Sequence, residues 1–372
     1  MTAVVEFEHL TTAQGQRIGV ARLNSEKSLN ALSLDMIQLL QPQLDAWASD
    51  ESIVAVWLEG AGEKAFCAGG DIVAMYQAMV AKPGTLVDEV ADFFSQEYRL
   101  DYTIHRFPKP FVVWGHGIVM GGGMGLMNGG SHRIVTERTL MAMPEVTIGL
   151  YPDVGATHFL SKMPSGCGLY LGLTGAHMNA TDALFLGLAD HFASSQRKAE
   201  LLAGLQQLEW QQHADADRQL VSNYLAQISQ ADQSLQPASP VQQHLAHIQQ
   251  LTSGQSLVDV VERISSDSSD DKWLQRAAQT LRQGCPMTAH IVWNQLQHGA
   301  DLSLADCFRL ELTLSVACAT RGDFVEGIRA LLIDKDKQPR WQHAAVADID
   351  EEEVDDFFIS PWPFGQHPLR DL

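Results

Sequence analysis

Apolar residues gather along the first half of the chain in short runs separated by glycine-containing turns. This spacing predicts strands at residues 18–23, 53–59, 111–115 and 133–136. The second and third runs are almost continuously apolar, the pattern of strands covered on both faces. Between the runs the apolar period lengthens to that of a helix. Ser33 stands where it can cap a helix whose stripe is Met36, Ile37, Leu39, Leu40, Leu44 and Trp47, with Pro42 expected to kink or interrupt it. Another helix is predicted over 87–105. Residues 1–193 therefore read as a glycine-rich α/β core.

Past that point glycine thins. Residues 194–284 are rich in Gln, Ala and Leu and read as a variable region of solvated amphipathic helices, broken near 237–240 by proline. The acidic run 265–271 reads as a turn or helix cap. From 286 to about 332 apolar residues return at helical spacing, followed by the charged stretch 334–339, so 285–372 is expected to form a C-terminal helical unit.

At 372 residues the chain is long enough for roughly two domains and can bury a core without covalent staples. Its 45 Asp and Glu against 25 Lys and Arg leave a formal net charge of -20, a field that repels polyanions and argues against a nucleic-acid partner. A phosphate-bearing ligand then needs a local device, either a cationic patch or oriented backbone amides. Five cysteines (Cys67, Cys167, Cys285, Cys307, Cys318) are odd in number and contain no C-x-x-C pair, so they read as reduced and buried, with no metal site expected. The N-terminal residues lack a secretory or transit pattern, and no apolar run approaches a membrane span. A soluble cytoplasmic protein without a membrane partner is the expectation.

Serine-hydrolase elbows, zincin helices and P-loops are missing from the sequence. What stands out is two glycine-rich turns after apolar strands: Phe66-Cys67-Ala68-Gly69-Gly70-Asp71, and His116-Gly117 through Gly121-Gly122-Gly123-Met124-Gly125. One such turn alone is most simply a tight strand-to-helix connection. Two together also suit the holding of a developing oxyanion on backbone amides, and the second does not fit dinucleotide-binding spacing. Downstream, Glu145 and Asp153 sit in an otherwise apolar segment, 143–155, where carboxylates are costly. Either alone reads equally as a helix-terminal charge; beside oxyanion turns, they suggest acid–base chemistry at an acyl group. His116 at a strand end reads as structural, Cys67 as a packed small residue, and Trp114 with Met120, Met124 and Met127 as core or pocket wall.

The two turns, the Met143-Pro144-Glu145 segment and residues 23–32 resemble the crotonase (enoyl-CoA hydratase/isomerase) superfamily over about 4–192. The segments 151–155, 322–330 and 334–341 resemble its branch of thioester hydrolases acting on 3-hydroxyisobutyryl-CoA. The resemblance implies a spiral of β-β-α turns with a C-terminal helical unit. It assigns the oxyanion hole to the amides of Gly70 and Gly122. It places Glu145 at the carboxylate shared by isomerases and hydrolases, and makes Asp153 the hydrolase-like feature. Hydratases of the family usually carry a further glutamate where this chain has Gly125.

Hydrolysis of 3-hydroxyisobutyryl-CoA in valine breakdown is the implied activity, with coenzyme A as part of the substrate and no other cofactor. Glu145 would attack the thioester through an anhydride or act as general base on water, while Asp153 would orient the water or bind the substrate hydroxyl. Gly69, Asp71, Gly121 and Gly125 are expected beside the substrate, and Lys27, Lys335, Lys337 and Arg340 at the CoA phosphates. A homo-oligomer stays open. The competing readings are a crotonase-type isomerase or hydratase working with Glu145, and a non-catalytic acyl-CoA-binding protein.

Overall fold

The computed structural model describes residues 3–372. Ten strands follow in chain order: β1 (Val5–Thr11), β2 (Arg17–Leu23), β3 (Ile53–Gly60), β4 (Ala65–Cys67), β5 (Phe111–Gly115), β6 (Ile118–Met120), β7 (His132–Val135), β8 (Leu140–Ala142), β9 (Met178–Asn179) and β10 (His191–Phe192). β1 and β2 form an antiparallel hairpin, after which all pairings of the larger sheet are parallel, in the order β1-β2-β3-β5-β7-β10. A smaller sheet runs β4-β6-β8-β9. β3 is followed by β4, β5 by β6 and β7 by β8, so the chain winds as a spiral that visits the large sheet and then the small one.

The chain forms two compact units that interleave along the sequence. One holds the described residues up to Gly70, with Leu100–Met141 and Met178–Ser239, and carries the sheets; the other holds Asp71–Arg99, Ala142–His177 and Pro240–Leu372. In the first unit every residue of β3 and β5 is buried, as the continuous apolar runs predict. Ile18, Val20, Trp57, Trp114 and Ile134 form one core with Leu201, Leu205, Val221 and Leu225 from the helices Lys198–Gln207 and Ala214–Asp232. Gly19 points the opposite way from Ile18 and Val20, because side chains alternate along a strand. A Cβ there would meet the Trp47 ring at 2.8 Å, so the missing side chain seats the helix Leu34–Ser49. In the second unit Phe94, Tyr98, Phe308 and Phe324 pack ring against ring.

Several expectations shift by a residue or more. β7 starts and ends one residue earlier than the predicted strand, and the small sheet had no forecast at all, because strands of two or three residues carry no readable period. Ser33 caps its helix by accepting from the Met36 N–H, but the helix then runs unbroken through Pro42. Burial of Met36, Ile37, Leu40, Leu44 and Trp47 outweighs a proline penalty of about 3 kcal/mol. Leu39, expected in that stripe, is exposed. Asp271 caps the helix Lys272–Gln283, in line with the cap reading of the acidic run. Among the described residues no helix is long and apolar enough to cross a membrane.

The parallel pairing of β4 with β6 brings the helix Gly122–Asn128 hard against β4: a Cβ on Gly123 would lie 2.2 Å from the Cys67 carbonyl oxygen. Backbone cannot yield as a side chain can. Gly123→Ala should therefore lose on the order of 3 kcal/mol of stability or fail to accumulate as soluble protein. A thermal midpoint within a degree of the parent would show that the contact is looser than described.

Candidate active site

The first unit holds the two glycine turns. Asn30 lies buried behind the first of them; its amide donates to the carbonyls of Ala61 and Ala65 and its oxygen accepts from the Ser25 N–H. The backbone around it clamps the turn directly, with Ala68 N–H donating to Leu29 and Leu32 N–H to Gly69. Gly69 itself adopts φ +123, closed to L side chains. The second turn comes off β6, adjacent and parallel to β4, with Gly121 at φ +48 and Gly122 as the first helical residue. The structure thus sets Gly69, Gly70, Gly121 and Gly122 on neighbouring strand ends. Neither the Gly70 nor the Gly122 N–H donates to an acceptor among the described residues. Asp71 follows as N-cap residue of the helix Ile72–Ala81 without a side-chain capping bond, and Gly125 is buried inside the helix Gly122–Asn128. His116 places a ring nitrogen 2.9 Å from the Glu63 carbonyl oxygen and stacks on Trp114, a supporting role.

The second unit holds the carboxylates. Glu145 opens a 3-10 turn after Pro144, is buried, and leaves Oε2 without a partner among the described residues. Its turn is pinned from the C-terminal side: Gly327 of the helix Asp323–Ile328 packs so closely that a Cβ would meet the Ile148 carbonyl carbon at 2.2 Å, and Gly149 abuts Asp323. The 322–330 motif thereby acquires a physical meaning.

Asp153 lies in a tight turn with Val154 at φ +53 and Gly155 at φ +90. Tyr98 O–H donates to its Oδ2 at 2.6 Å. The Glu311 carboxylate accepts from the N–H groups of Gly155 at 2.7 Å and Thr157 at 2.8 Å, one on each oxygen. Gln295 donates to the Pro152 carbonyl, and Tyr151 O–H to the backbone carbonyl of Glu311. Ser315 Oγ lies 2.6 Å from the Tyr98 hydroxyl and 2.9 Å from that of Tyr151.

No cation among the described residues pairs with Glu97, Glu145, Asp153 or Glu311, all of them buried. Burial pushes Asp153 up to about 7, against which the Tyr98 hydrogen bond pulls down. Burial raises Glu145 well above the ordinary range, and the charge on Asp153 raises it further. Glu97 is raised by the same two causes. Burial takes Glu311 to about 8, although hydrogen bonds from Thr157 and Gly155, which favour the ionised group, oppose that rise.

Glu97, Tyr98, Glu311 and Ser315 went unnoticed in the sequence. Their signal was present: Glu97 falls at helical spacing from Val90 and Phe94, and Glu311 and Ser315 flank Leu312 beside Phe308, so polar residues occupy apolar-stripe positions. The cations expected at phosphates are not drawn to this cluster. Lys27, Lys335, Lys337 and Arg340 are exposed and make no ion pair with it. The charged stretch folds instead around Arg329, which grips Glu326, Asp334 and Asp336.

Raised carboxyl pKa values have a stability consequence of definite sign. The folded chain keeps a proton on Asp153 up to about pH 7, whereas the unfolded chain releases it near 3.8, so unfolding frees a proton between those values and stability falls as pH rises through them. The contribution has an upper bound of about 4 kcal/mol. Asp153→Asn has no such proton, and its denaturation midpoint should decline less steeply between pH 4 and pH 7 than the parent's; equal slopes would contradict the assignment.

The sequence family described as enoyl-CoA hydratase/isomerase matches residues 18–358. The chain is 40% identical to the mitochondrial 3-hydroxyisobutyryl-CoA hydrolase of Danio rerio over 92% of its own length and 87% of the relative's, and 35% identical to the Homo sapiens protein of that name over 92% and 86%. Among solved structures, an enoyl-CoA hydratase from Rhodobacter sphaeroides superposes with TM-score 0.83 at 33% identity, covering 95% of this chain and 97% of the other. A carnitinyl-CoA dehydratase from Mycobacterium thermoresistibile gives 0.83 at 34%, covering 97% and 98%. The spiral with its C-terminal helical region is thus the fold of these enzymes. The cytoplasmic expectation does not stand, because the named relatives are mitochondrial. It rested on the look of the first residues, and a compartment address is separable from the folded chemistry.

Proposed function

The chain belongs to the enoyl-CoA hydratase/isomerase family, and within it we propose that this protein hydrolyses 3-hydroxyisobutyryl-CoA to 3-hydroxyisobutyrate and free CoA. The observation that carries the reading is that Glu145 and Asp153 are both buried without a cation, close enough for the Asp153 charge to raise Glu145, in a chain that has Gly125 where a hydratase keeps a glutamate. Relatives named for this hydrolysis, at 35% to 40% identity, support the choice of acyl group.

The thioester oxygen is assigned to the N–H groups of Gly70 and Gly122, with Gly69, Asp71, Gly121 and Gly125 beside them along the chain. Donors already held in place stabilise the developing oxyanion without reorganising, each worth about 2.7 to 4 kcal/mol. Water adds to the carbonyl carbon as Glu145 takes its proton; the C–S bond then breaks and the thiolate is protonated. Alternatively the Glu145 carboxylate attacks first, the C–S bond breaks and the CoA thiolate leaves with a proton from solvent, and water opens the resulting anhydride to the acid and the regenerated carboxylate. Either route needs Glu145 ionised, and Asp153 orients the water or accepts from the substrate hydroxyl. Lys27, Lys335, Lys337 and Arg340 are assigned to the CoA phosphates, and the reading needs no cofactor beyond the CoA that arrives with the substrate. Hydration or isomerisation is the second reading, favoured by the solved structures described as hydratase and dehydratase. Only hydrolysis frees a CoA thiol.

Glu145→Gln should therefore lower thiol release from 3-hydroxyisobutyryl-CoA by two to four orders of magnitude, about the worth of a positioned base, while still binding the ester. Because burial, and then the Asp153 charge, raise the Glu145 pKa, kcat/KM should fall with acidity through a pKa well above the ordinary glutamate range. Parent-like turnover in the variant removes Glu145 from the reaction.

Asp153→Ala separates the two roles left for that carboxylate. Loss confined to the hydroxylated ester, with isobutyryl-CoA little changed, assigns Asp153 to the hydroxyl, since a site built to bind a hydroxyl discriminates strongly against its absence. An equal loss on both esters in kcat/KM assigns it to the water.

A further inference from the structure

Asp153 is the end of a chain of hydroxyls that the hydrolysis reading does not use. The chain runs from its Oδ2 to Tyr98 (2.6 Å), to Ser315 (2.6 Å), to Tyr151 (2.9 Å) and stops on the backbone carbonyl of Glu311 (2.5 Å). All the side chains in it are buried. Each hydroxyl has one proton to donate, and the terminal carbonyl has none.

The count of protons decides how well the chain is satisfied. With Asp153 ionised, the three hydroxyl protons serve four contacts, so one contact is left without a donor. With Asp153 neutral, its own proton goes to the Tyr98 oxygen, Tyr98 donates to Ser315, Ser315 to Tyr151 and Tyr151 to the carbonyl, and every contact is made. The direction of the first link reverses between the two states. We propose that Tyr98, Ser315 and Tyr151 are positioning residues forming a hydroxyl relay that sets the protonation state of Asp153 and turns over when that state changes.

The other groups facing Asp153 are carboxyls and a thiol: Glu97 from the Tyr98 helix, Glu145 from its turn, and Glu311 and Cys318 from the Ser315 helix. None supplies a positive charge. Control over the Asp153 proton therefore falls to neutral hydrogen-bonding groups. Tyr98 serves both forms, donating to the carboxylate and accepting from the acid. Ser315 and Tyr151 favour the neutral form by completing the chain.

This count predicts unequal responses. In Ser315→Ala and in Tyr151→Phe the remaining contacts are filled equally well in both states, so the neutral form loses its one-bond advantage and Asp153 titrates lower, by about one pH unit. In Tyr98→Phe the ionised form loses one charge-assisted bond and the neutral form two ordinary ones, which nearly balance, so Asp153 titrates close to the parent.

The proposal rests on the hydrolase reading only for its kinetic arm. The primary readout is the protonated-carboxyl stretch in infrared pH titration of the free protein, assigned by its disappearance in Asp153→Asn; the second is the acid limb of thiol release from 3-hydroxyisobutyryl-CoA. Lower titration in Ser315→Ala and Tyr151→Phe with Tyr98→Phe near the parent, in variants with parent-like thermal midpoints, supports the relay, as a packing role alone would not single out the two hydroxyls that do not touch Asp153. An upward shift in Ser315→Ala or Tyr151→Phe, equal shifts in all three, or none, in such folded variants overturns it, and Tyr151→Phe tests the same link should Ser315→Ala not fold. If the infrared shifts follow this pattern while the parent releases no thiol, the relay stands and the hydrolase reading falls.

Discussion

Burying carboxyl groups without a counter-cation is the constraint on which the second unit depends. An isolated ionised carboxylate costs far more in an apolar interior than a fold of this size can spare, so such groups either take up a proton or collect hydrogen-bond donors. Both solutions occur here. Burial raises Glu145 and Glu97 toward the neutral form, Glu311 collects two backbone N–H groups, and Asp153 has a tyrosine hydroxyl. Four carboxyls in one neighbourhood thereby differ in proton affinity, the condition for acid–base work near neutral pH.

The first unit answers a different demand with backbone alone. Its glycines permit a positive φ at Gly69 and Gly121 and a close approach at Gly123, and the result is N–H groups at strand ends with no internal partner. Charge plays little part in that backbone geometry, in a chain of net charge -20. Arg329 is committed to three acids.

Much of this was legible beforehand, for identifiable reasons. Long buried strands announce themselves through continuous apolar runs, as β3 and β5 did; carboxylates in an apolar segment draw attention to Glu145 and Asp153, whereas Gly70 and Gly122 are singled out within their turns only by the family resemblance. The small sheet escaped because its strands are shorter than any period. Tyr98, Glu311 and Ser315 escaped because their meaning lies in partners far off in the chain, and a hydroxyl on a helix face says nothing by itself. Pro42 shows the converse, a strong local signal overruled by the burial of the stripe around it.

The bond from the Gly155 N–H to Glu311 spans 156 residues, and the clamp of Gly327 on Ile148 comes later still in the chain. During synthesis at about 5 to 20 residues per second, the turn bearing Asp153 leaves the ribosome many seconds before the helix that shapes it. Until then Glu311 is not there to accept from the Gly155 and Thr157 N–H groups, and the turn has no reason to leave water. A chain cut short before Leu304 would carry Glu145 and Asp153 without the helix that shapes their surroundings.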